Sequence, residues 1–243
     1  MFSIKTERRN GLLAVSASAD EIKRVAIVQL NGLTMGQWYE RQSDKPDMII
    51  NASLWDGKGA IGTIWQDGKL VRNEGTGFGF GINKNGNFGF ADPWSIEWQD
   101  YITGYPALVQ NGNALSHEVD AYVMTSKTKR SVVAAAGNRL YLITSDGLTV
   151  AALRTALVNF GVYHAINLDG GGSSRLIVNG KAVNSPTDNR KCPNAIAVWL
   201  KKDNTTTTAP SNNQSKIAID AGHGRYTAGK RCLKSIDTNE TRE

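Results

Sequence analysis

Residues 165–174 read AINLDGGGSS and place one carboxylate, Asp169, directly after an apolar run. Three glycines and two serines follow it: Gly170, Gly171, Gly172, Ser173 and Ser174. Because glycine adopts positive φ and lets the backbone approach a ligand closely, successive N–H groups there can converge on an anion. The pattern suits acid–base chemistry on a phosphorylated or sugar substrate. The alternative is a tight turn with a structural aspartate.

The composition is that of a globular chain that favours anionic partners. Of its 243 residues, 40% are hydrophobic and 21% are charged, which allows one sizeable domain with its own core, alone or with a fragment of another. The net charge of +6 favours phospho-sugars, wall polymers or nucleic acid, although solubility alone also explains it. The basic residues are scattered and form no patch interleaved with aromatic residues, so we expect no nucleic-acid partner.

Short apolar runs separated by Asp-Gly, Asn-Gly and Gly-Asn turn signals predict a domain rich in β-hairpins. The predicted strands are 22–30, 47–50, 61–65, 70–72, 78–82, 88–90, 131–136, 139–144, 162–168, 175–178, 181–183 and 195–200. One helix is predicted over Thr149–Phe160, with Thr149 as N-cap and Gly161 just past its end. The predicted fold class is α+β, a β-rich mixed sheet with few helices, in a domain over residues 1–203.

The composition changes after residue 203. Residues 204–215 read NTTTTAPSNNQS, are low in complexity and contain no side chain suited to a core, which predicts an interdomain linker. A new strand is predicted at 216–220, KIAID, as the start of an α/β domain. Residues 216–243 are too few to complete such a domain.

Several segments of the first domain resemble the phosphodiester glycosidase family. The run INLDGGGSSRLIVNGKAVNSPTD, followed by an arginine and NAIAVW, resembles the family's signature. Three segments upstream resemble other family motifs in the same order: IINASLWDGKGAIGTIWQDGKLV, ITGYPALVQNG and TKRSVVAAAGNRLYLITSDG. The resemblance implies a hydrolase that cleaves a glycosyl phosphodiester of the N-acetylglucosamine-1-phosphate type. It implies no certain cofactor for this domain.

The same resemblance assigns roles to individual residues. It implies that Asp169 is the acid/base and that Arg130 is a catalytic group holding the phosphate through its fork of donors. It assigns substrate binding to Asn51, Gly170, Gly171, Gly172, Ser173, Ser174, Arg190 and Asn194. Ion pairs for the arginines and a strand-end turn for Asn51 stay open as alternatives. The chain departs from the family in the segment 51–54, NASL, and in Ser131 after Arg130.

Other residue types give weaker indications. A second carboxylate cannot be assigned, and Asp188 and Asp92 are weak candidates for it. We predict that His164 packs into the structure and that His117 lies in a loop. Most of the tryptophans are predicted to be core residues, with Trp55 as the candidate for the site.

The segment KIAIDAGHGRYTAGKR resembles the opening of the zinc-dependent N-acetylmuramoyl-L-alanine amidases. That resemblance implies zinc ligation by His223 and by Glu243, with Glu240 as the alternative second ligand. The remaining ligand and the catalytic glutamate would follow residue 243, so we expect zinc only in a complete amidase domain and an inactive segment in this chain.

The N-terminus contains no apolar region typical of a signal peptide, and no run approaches the length of a membrane span. We therefore expect synthesis in the cytoplasm and no membrane segment. Together with the amidase resemblance, this implies a phage or prophage lysin that acts at the bacterial cell wall after release or as a virion component. Its partner would be a wall glycan or a phospho-sugar polymer. The alternative is a wall-binding module without catalysis, which the altered segment 51–54 favours.

Overall fold

A computed structural model describes residues 4–74, 77–185 and 188–202. These residues belong to one compact unit, Met1–Asp203. The predicted linker and the predicted amidase segment, with His223, Glu240 and Glu243, lie outside the described residues and stay predictions.

Nineteen strands and three α-helices make up the described part of the chain. The strands are β1 (Lys5–Arg9), β2 (Leu12–Ser18), β3 (Ile22–Gln29), β4 (Met48–Asn51), β5 (Trp55–Asp56), β6 (Gly59–Ala60), β7 (Ile64–Gln66), β8 (Lys69–Arg72), β9 (Gly79–Asn83), β10 (Phe88–Ala91), β11 (Trp98–Thr103), β12 (Ala107–Gln110), β13 (Asn113–Ala114), β14 (Thr128–Ala136), β15 (Arg139–Leu148), β16 (His164–Asn167), β17 (Leu176–Val178), β18 (Lys181–Ala182) and β19 (Asn194–Leu200). The helices are α1 (Met35–Glu40), α2 (Ala121–Thr125) and α3 (Val150–Phe160), and 3₁₀ turns cover Ala19–Glu21 and Gly171–Ser173.

The strands form three sheets and one small ribbon. The seven-stranded sheet has the order β1-β2-β15-β14-β16-β12-β13. The two five-stranded sheets have the orders β10-β9-β11-β7-β8 and β18-β17-β4-β19-β3, and β5 pairs with β6 alone. The β-rich architecture with few helices is as predicted.

The predicted mixed sheet is wrong, because every strand pair among the described residues is antiparallel. The helix α3 connects β15 to β16, the kind of connection that often joins parallel neighbours. Here β14 lies between those two strands and pairs antiparallel with both. The crossover therefore places two strands in the same direction without making them neighbours.

The predicted helix is confirmed as α3, together with both of its ends. The Thr149 hydroxyl accepts a hydrogen bond from the Ala152 N–H at 3.2 Å, as an N-cap does. Gly161 has φ +94° and its N–H donates to the Leu157 carbonyl at 3.1 Å. Leu153 and Leu157 are buried against the seven-stranded sheet. Local capping chemistry and one apolar stripe thus defined this element in the sequence.

The hairpin β1–β2 was not predicted. All residues of β1, KTERR, are exposed, so the strand has no apolar alternation to reveal it. The strand β2 is almost continuously buried because it lies between β1 and β15. The Asn10–Gly11 turn, with φ of +54° and +75°, was the usable signal.

The main core lies where the sheets meet and brings two strand ends together. Ile50 of β4, Val133 of β14 and Ile166 of β16 belong to one buried cluster. This packing aligns the C-terminal end of β4 with the C-terminal end of β16, so residues that follow either strand share one edge. No helix in the described residues is long and apolar enough to cross a bilayer.

Substitution of Gly104 by alanine tests this packing. A Cβ at Gly104 would lie 2.5 Å from the Ile166 Cβ and 3.2 Å from the Phe78 carbonyl oxygen. We expect the free energy of unfolding to fall by about 1–3 kcal/mol because the core must shift. Urea denaturation measures the change. The control is Gly36→Ala, where nothing lies within 4 Å of the new Cβ, and where stability should stay equal or rise slightly. Equal losses in both variants would contradict the packing described.

Candidate functional site

Asp169 lies immediately after β16, and its backbone is held by the end of β4. Its N–H donates to the Ala52 carbonyl at 2.7 Å. Its own carbonyl accepts a hydrogen bond from the Asn51 Nδ2 at 2.7 Å. Both backbone polar groups of Asp169 are therefore satisfied from another sheet, which sets the direction of its side chain.

The Asp169 carboxylate is half-buried and accepts two hydrogen bonds. The Gly170 N–H donates to Oδ1 at 3.0 Å, and the Trp55 indole Nε1 donates to Oδ2 at 3.2 Å. Burial raises the pKa of Asp169 above that of an ordinary carboxyl, and the Ser173 hydroxyl, these two donors and the Arg190 charge oppose the shift. The group thus keeps its proton to a higher pH than a surface aspartate, which moves its pKa toward the operating pH at which acid–base catalysts are most efficient.

The three glycines have different local reasons: backbone approaches Gly170, Gly171 has a φ of +57°, and the ends of two side chains occupy the space at Gly172. A Cβ at Gly170 would lie 2.5 Å from the Lys129 carbonyl oxygen, and one at Gly172 would lie 2.3 Å from the Asp188 Oδ2. The N–H groups of Ser173 and Ser174 donate to the two preceding turn carbonyls at 3.1 and 3.2 Å. The amides of Gly171 and Gly172 are the first of this turn and have no partner within it. The sequence predicted that several amides after Asp169 would converge on an anion. Because the Ser173 and Ser174 amides already have partners, the candidates are the amides of Gly171 and Gly172.

A cavity of about 410 Å³ opens in front of Asp169. It is lined by Leu54, Tyr122, Val123, Ser126, Thr128, Arg130, Asn167, Leu168, Asp169, Gly170, Gly171, Gly172 and Arg190. The structure therefore brings both predicted arginines and the three glycines to the aspartate. It does not bring Asn51, Ser173, Ser174 or Asn194 to this surface.

Arg130 is buried, and most of its guanidinium serves the backbone. It is 3% exposed. Its Nε donates to the Leu148 carbonyl at 3.1 Å, and its Nη2 donates to the Val123 and Ser126 carbonyls, each at 2.8 Å. Burial lowers the pKa of Arg130. The expectation that its fork of donors grips a phosphate needs correction, because that fork already holds the end of α2, and only Nη1 is left for the cavity.

Arg190 is the more available guanidinium. It is exposed, and its Nε and Nη2 contact the Asp188 Oδ2 at 2.9 and 2.7 Å. The surface ion pair left open as an alternative is therefore present. Such a pair is weak and can exchange its partner for an incoming anion. Its position at the cavity, where its charge also lowers the pKa of Asp169, makes it the primary candidate for holding an anionic group.

Two of the predicted substrate-binding residues, Asn51 and Ser174, are corrected because they lie beneath the site. Both are 0% exposed. The Asn51 Oδ1 accepts hydrogen bonds from the Ser131 hydroxyl at 2.8 Å and the Arg175 N–H at 3.0 Å. The Ser174 hydroxyl lies 2.9 Å from that of Ser131. These side chains support Asp169 from below and cannot touch a ligand in the cavity.

Asn194 and Ser173 are corrected for the same reason. Asn194 is 0% exposed, accepts from the Ser53 N–H at 2.9 Å and donates to the Ser53 hydroxyl at 3.2 Å. It holds the segment after β4 instead of forming a rim. The Ser173 hydroxyl is buried and makes no hydrogen bond within the described residues, although it lies near enough to Asp169 and Cys192 to favour their charged forms.

The structure adds residues that the sequence reasoning missed. Tyr122 lines the cavity with 77% of its surface exposed, and no pattern around it pointed to the site. Asn167, two positions before Asp169, also lines it and donates from Nδ2 to the Tyr105 carbonyl at 2.7 Å. Position on the same strand was a usable signal for Asn167. Trp55, the tryptophan candidate, contacts the carboxylate directly and is 42% exposed.

The remaining candidates lie elsewhere or at the margin. His164 packs against the rings of Phe78, Phe90 and Tyr163, and burial lowers the pKa of its imidazole, so the prediction of a packed histidine is confirmed. His117 lies between β13 and α2 without regular structure, as predicted.

The two weak carboxylate candidates differ in position. Asp92 accepts a hydrogen bond from the Trp94 N–H within its own turn and does not line the cavity. Asp188 is close to the cavity because it forms an ion pair with Arg190, which lines the cavity. Across the described ranges, no three His, Cys, Asp or Glu side chains converge as metal ligands would.

Substitution of Asn51 by alanine tests its supporting role. The change leaves the Asp169 carbonyl and the Arg175 N–H buried without their partner. We expect a loss of about 3 kcal/mol in the free energy of unfolding, measured by urea denaturation. The control is the exposed Asn113, whose alanine variant should stay within about 0.5 kcal/mol of the wild type. If both variants were equally stable, Asn51 would return to the set of possible ligand contacts.

Comparisons with known proteins identify a family and related folds. A family model described as phosphodiester glycosidase matches residues 43–199. No curated protein matches the chain significantly.

Several solved structures share the fold. The catalytic domain of zebrafish N-acetylglucosamine-1-phosphodiester alpha-N-acetylglucosaminidase, auto-inhibited by its pro-peptide, is 18% identical with a TM-score of 0.58, and the match covers 83% of each chain. A hypothetical protein from Synechocystis is 11% identical with a TM-score of 0.66, and the match covers 82% of this chain and 62% of that one. A Burkholderia pseudomallei protein is 12% identical with a TM-score of 0.53, over 77% of this chain and 73% of that one.

These identities are low enough that the structures show the fold alone. The chain spans less than two thirds of the Synechocystis protein. The family model, in contrast, covers most of the described residues. It includes β4 and β16, whose C-terminal ends meet at Asp169 along a line that we call the seam. On that match, this chain belongs to the phosphodiester glycosidase family.

Proposed function

We propose that the domain hydrolyses a glycosyl phosphodiester of the N-acetylglucosamine-1-phosphate type. The observation that carries the proposal is the half-buried Asp169, whose pKa is raised by burial, in a cavity that also contains Arg190 and the amides of Gly171 and Gly172. Membership of the family supports hydrolysis of a phosphodiester-linked sugar. The name of the zebrafish relative supports the choice of N-acetylglucosamine.

The reaction breaks the bond between the sugar C1 and the phosphate oxygen. Water supplies a hydroxyl to C1, the phosphate leaves as a monoester with the bonding electron pair, and one proton must be removed from the water. A phosphate monoester is a far weaker base than an alkoxide, so its departure needs neutralisation of charge more than protonation. We therefore assign Asp169, in its ionised form, to accept the proton and to face the positive charge that develops at C1.

The leaving phosphate would be held on the opposite side. The Arg190 guanidinium can exchange Asp188 for the phosphate, because an exposed ion pair holds its partner weakly. The amides of Gly171 and Gly172, and the Nη1 of Arg130, supply further donors at the cavity wall. Each of these groups favours the charge that grows on the departing oxygen more than the charge of the bound ester.

Two exposed aromatic side chains fit the sugar end of the cavity. Trp55 contacts the Asp169 carboxylate, and Tyr122 lines the cavity. Large aromatic faces bury the apolar side of a sugar ring while its hydroxyls remain hydrated. We assign these two residues to the walls of the sugar subsite.

The setting that we propose is the bacterial cell wall, in a lysin that would act after release or as a virion component. Support comes from the sequence resemblance of residues 216–243 to a peptidoglycan amidase, which lies outside the described residues. The proposed partner is a wall glycan or a phospho-sugar polymer. Zinc would belong to a complete amidase domain only.

A wall-binding module is the second candidate function. The altered segment 51–54 motivates it. In addition, Asp169 is the only carboxylate among the described residues that line the cavity in front of it. The altered segment nevertheless keeps both backbone contacts to Asp169. Measured turnover separates hydrolysis from binding.

The variant Asp169→Asn tests the catalytic assignment. We expect kcat for a p-nitrophenyl or alkyl ester of N-acetylglucosamine-1-phosphate to fall by at least about 100-fold, because the amide cannot accept the proton. Release of the sugar is measured by chromatography. The control is Asp67→Asn, at an exposed turn residue with φ +52° that asparagine also tolerates.

Equal turnover by the wild type and Asp169→Asn would remove Asp169 from catalysis. Binding of the ester by the wild type without release of sugar, in protein whose circular dichroism is that of a β-rich fold, would support the binding module instead.

The variant Trp55→Phe tests the electrostatics of the carboxylate. The indole N–H lowers the pKa of Asp169, so its removal should raise that pKa further. If Asp169 acts in its ionised form, the acidic limb of the kcat/KM profile moves to higher pH. The control is the exposed Trp94→Phe, which does not contact Asp169 and should leave the limb in place. A limb unmoved in Trp55→Phe would show that another group titrates.

A further inference from the structure

The cavity at Asp169 continues into two others. It shares Thr128, Gly171 and Gly172 with a second cavity of about 590 Å³. The second cavity shares Asp146 and Ser185 with a third of about 400 Å³, which ends at the turn between β1 and β2. Because neighbouring cavities share these wall residues, the three adjoin one another in a row, which we call the groove.

The groove concentrates positive charge. Six basic side chains line it: Arg8, Arg9, Lys127, Lys129, Arg130 and Arg190. Three acidic side chains line it: Asp146, Asp169 and Asp188. A concave surface with an excess of one sign focuses its field on the space above it, which raises the local concentration of an anion.

Two of these cations have no other role among the described residues. Arg8 lies on the fully exposed β1, and Lys127 is exposed before β14; among the described residues, neither side chain makes an ion pair or a hydrogen bond. The adjacent basic residues Arg9 and Lys129, in contrast, have partners. Arg9 donates to the Asn159 carbonyl and stacks over the Phe160 ring at 4.9 Å, and Lys129 donates to the Ser185 carbonyl at 3.4 Å.

We infer that the groove binds an extended polyanionic glycan, with Asp169 at one end and Arg8 at the other. This inference rests on the proposed function for the chemistry at Asp169 and adds the class of substrate. A single short ester occupies the first cavity alone. Charges spaced along the second and third cavities are useful only to a chain that carries phosphates at intervals.

The distribution of aromatic residues favours a glycan over a nucleic acid. Among the described residues, the exposed aromatic side chains Trp55 and Tyr122 lie at the Asp169 end, and none lines the second or third cavity. Single-stranded nucleic acids need aromatic platforms along their path, on which successive bases stack. A sugar held at one end by aromatic faces, followed by phosphates held by cations, matches the groove.

The experiment measures binding by the full chain carrying Asp169→Asn, so that the probe is not cleaved. The probe is a fluorescently labelled teichoic acid with a poly(N-acetylglucosamine-1-phosphate) backbone, in which each sugar C1 carries a phosphodiester, and its binding is followed by anisotropy at low salt. In this background, Arg8→Gln with Lys127→Gln should raise the Kd roughly fivefold, since two cation–phosphate contacts are lost. The matched control, Lys69→Gln with Lys181→Gln, removes the same charge from exposed positions outside the groove and should change the Kd less than about twofold.

Four results would overturn the inference. They are equal loss of affinity in the two double variants, absence of teichoic acid binding, equally tight binding of a neutral dextran of the same length, and tighter binding of an oligothymidylate. The last would assign the groove to nucleic acid.

Failure of the groove and failure of the hydrolase are distinguishable. If the wild type releases no sugar from any ester while the groove variants still lose affinity selectively, the groove stands and the proposed hydrolysis falls. If the wild type cleaves the short ester but does not bind the polymer, only the groove falls.

Discussion

The structure depends on two hydrogen bonds that join the backbone of Asp169 to the end of β4. The Asp169 N–H donates to the Ala52 carbonyl, and the Asn51 side chain donates to the Asp169 carbonyl, both at 2.7 Å. They connect residues of two different sheets, so they fix the seam and the carboxylate at once. Buried polar groups that lose such partners are costly, and this cost keeps the aspartate in one orientation.

At the seam, buried residues that hold the site in place lie below the residues that are able to contact a ligand. Asn51, Ser174 and Asn194 form a fully buried polar layer below the site, whereas Asp169, Arg190 and Trp55 reach the surface above it. Arg130 lies between these layers, with most of its donors given to carbonyls. A satisfied buried network is rigid, and a rigid base preorganises the few exposed groups that would meet a substrate.

Much of the fold was accessible from local pattern. Four hairpins, β7–β8, β9–β10, β14–β15 and β17–β18, and the helix α3 were predicted because turn residues, capping residues and apolar periodicity lie within a few positions of each other. The hairpin β1–β2 was missed because β1 is wholly polar, and the antiparallel order of the central strands was missed because it depends on the insertion of β14 between β15 and β16. Strand order is set by packing over long sequence separations, which local patterns do not encode.

The sequence by itself determined where the proposed chemistry would lie: one carboxylate at the end of an apolar strand, followed by three glycines, of which Gly170 is required by the neighbouring backbone. Only the tertiary structure decided which polar residues face the cavity. Asn51 and Asp169 are 118 positions apart, and their contact buries one side chain while it presents the other. Burial is a property of the whole packed surface, so of two polar residues at strand ends, Asn51 became a buried support and Asp169 became a carboxylate that lines the cavity.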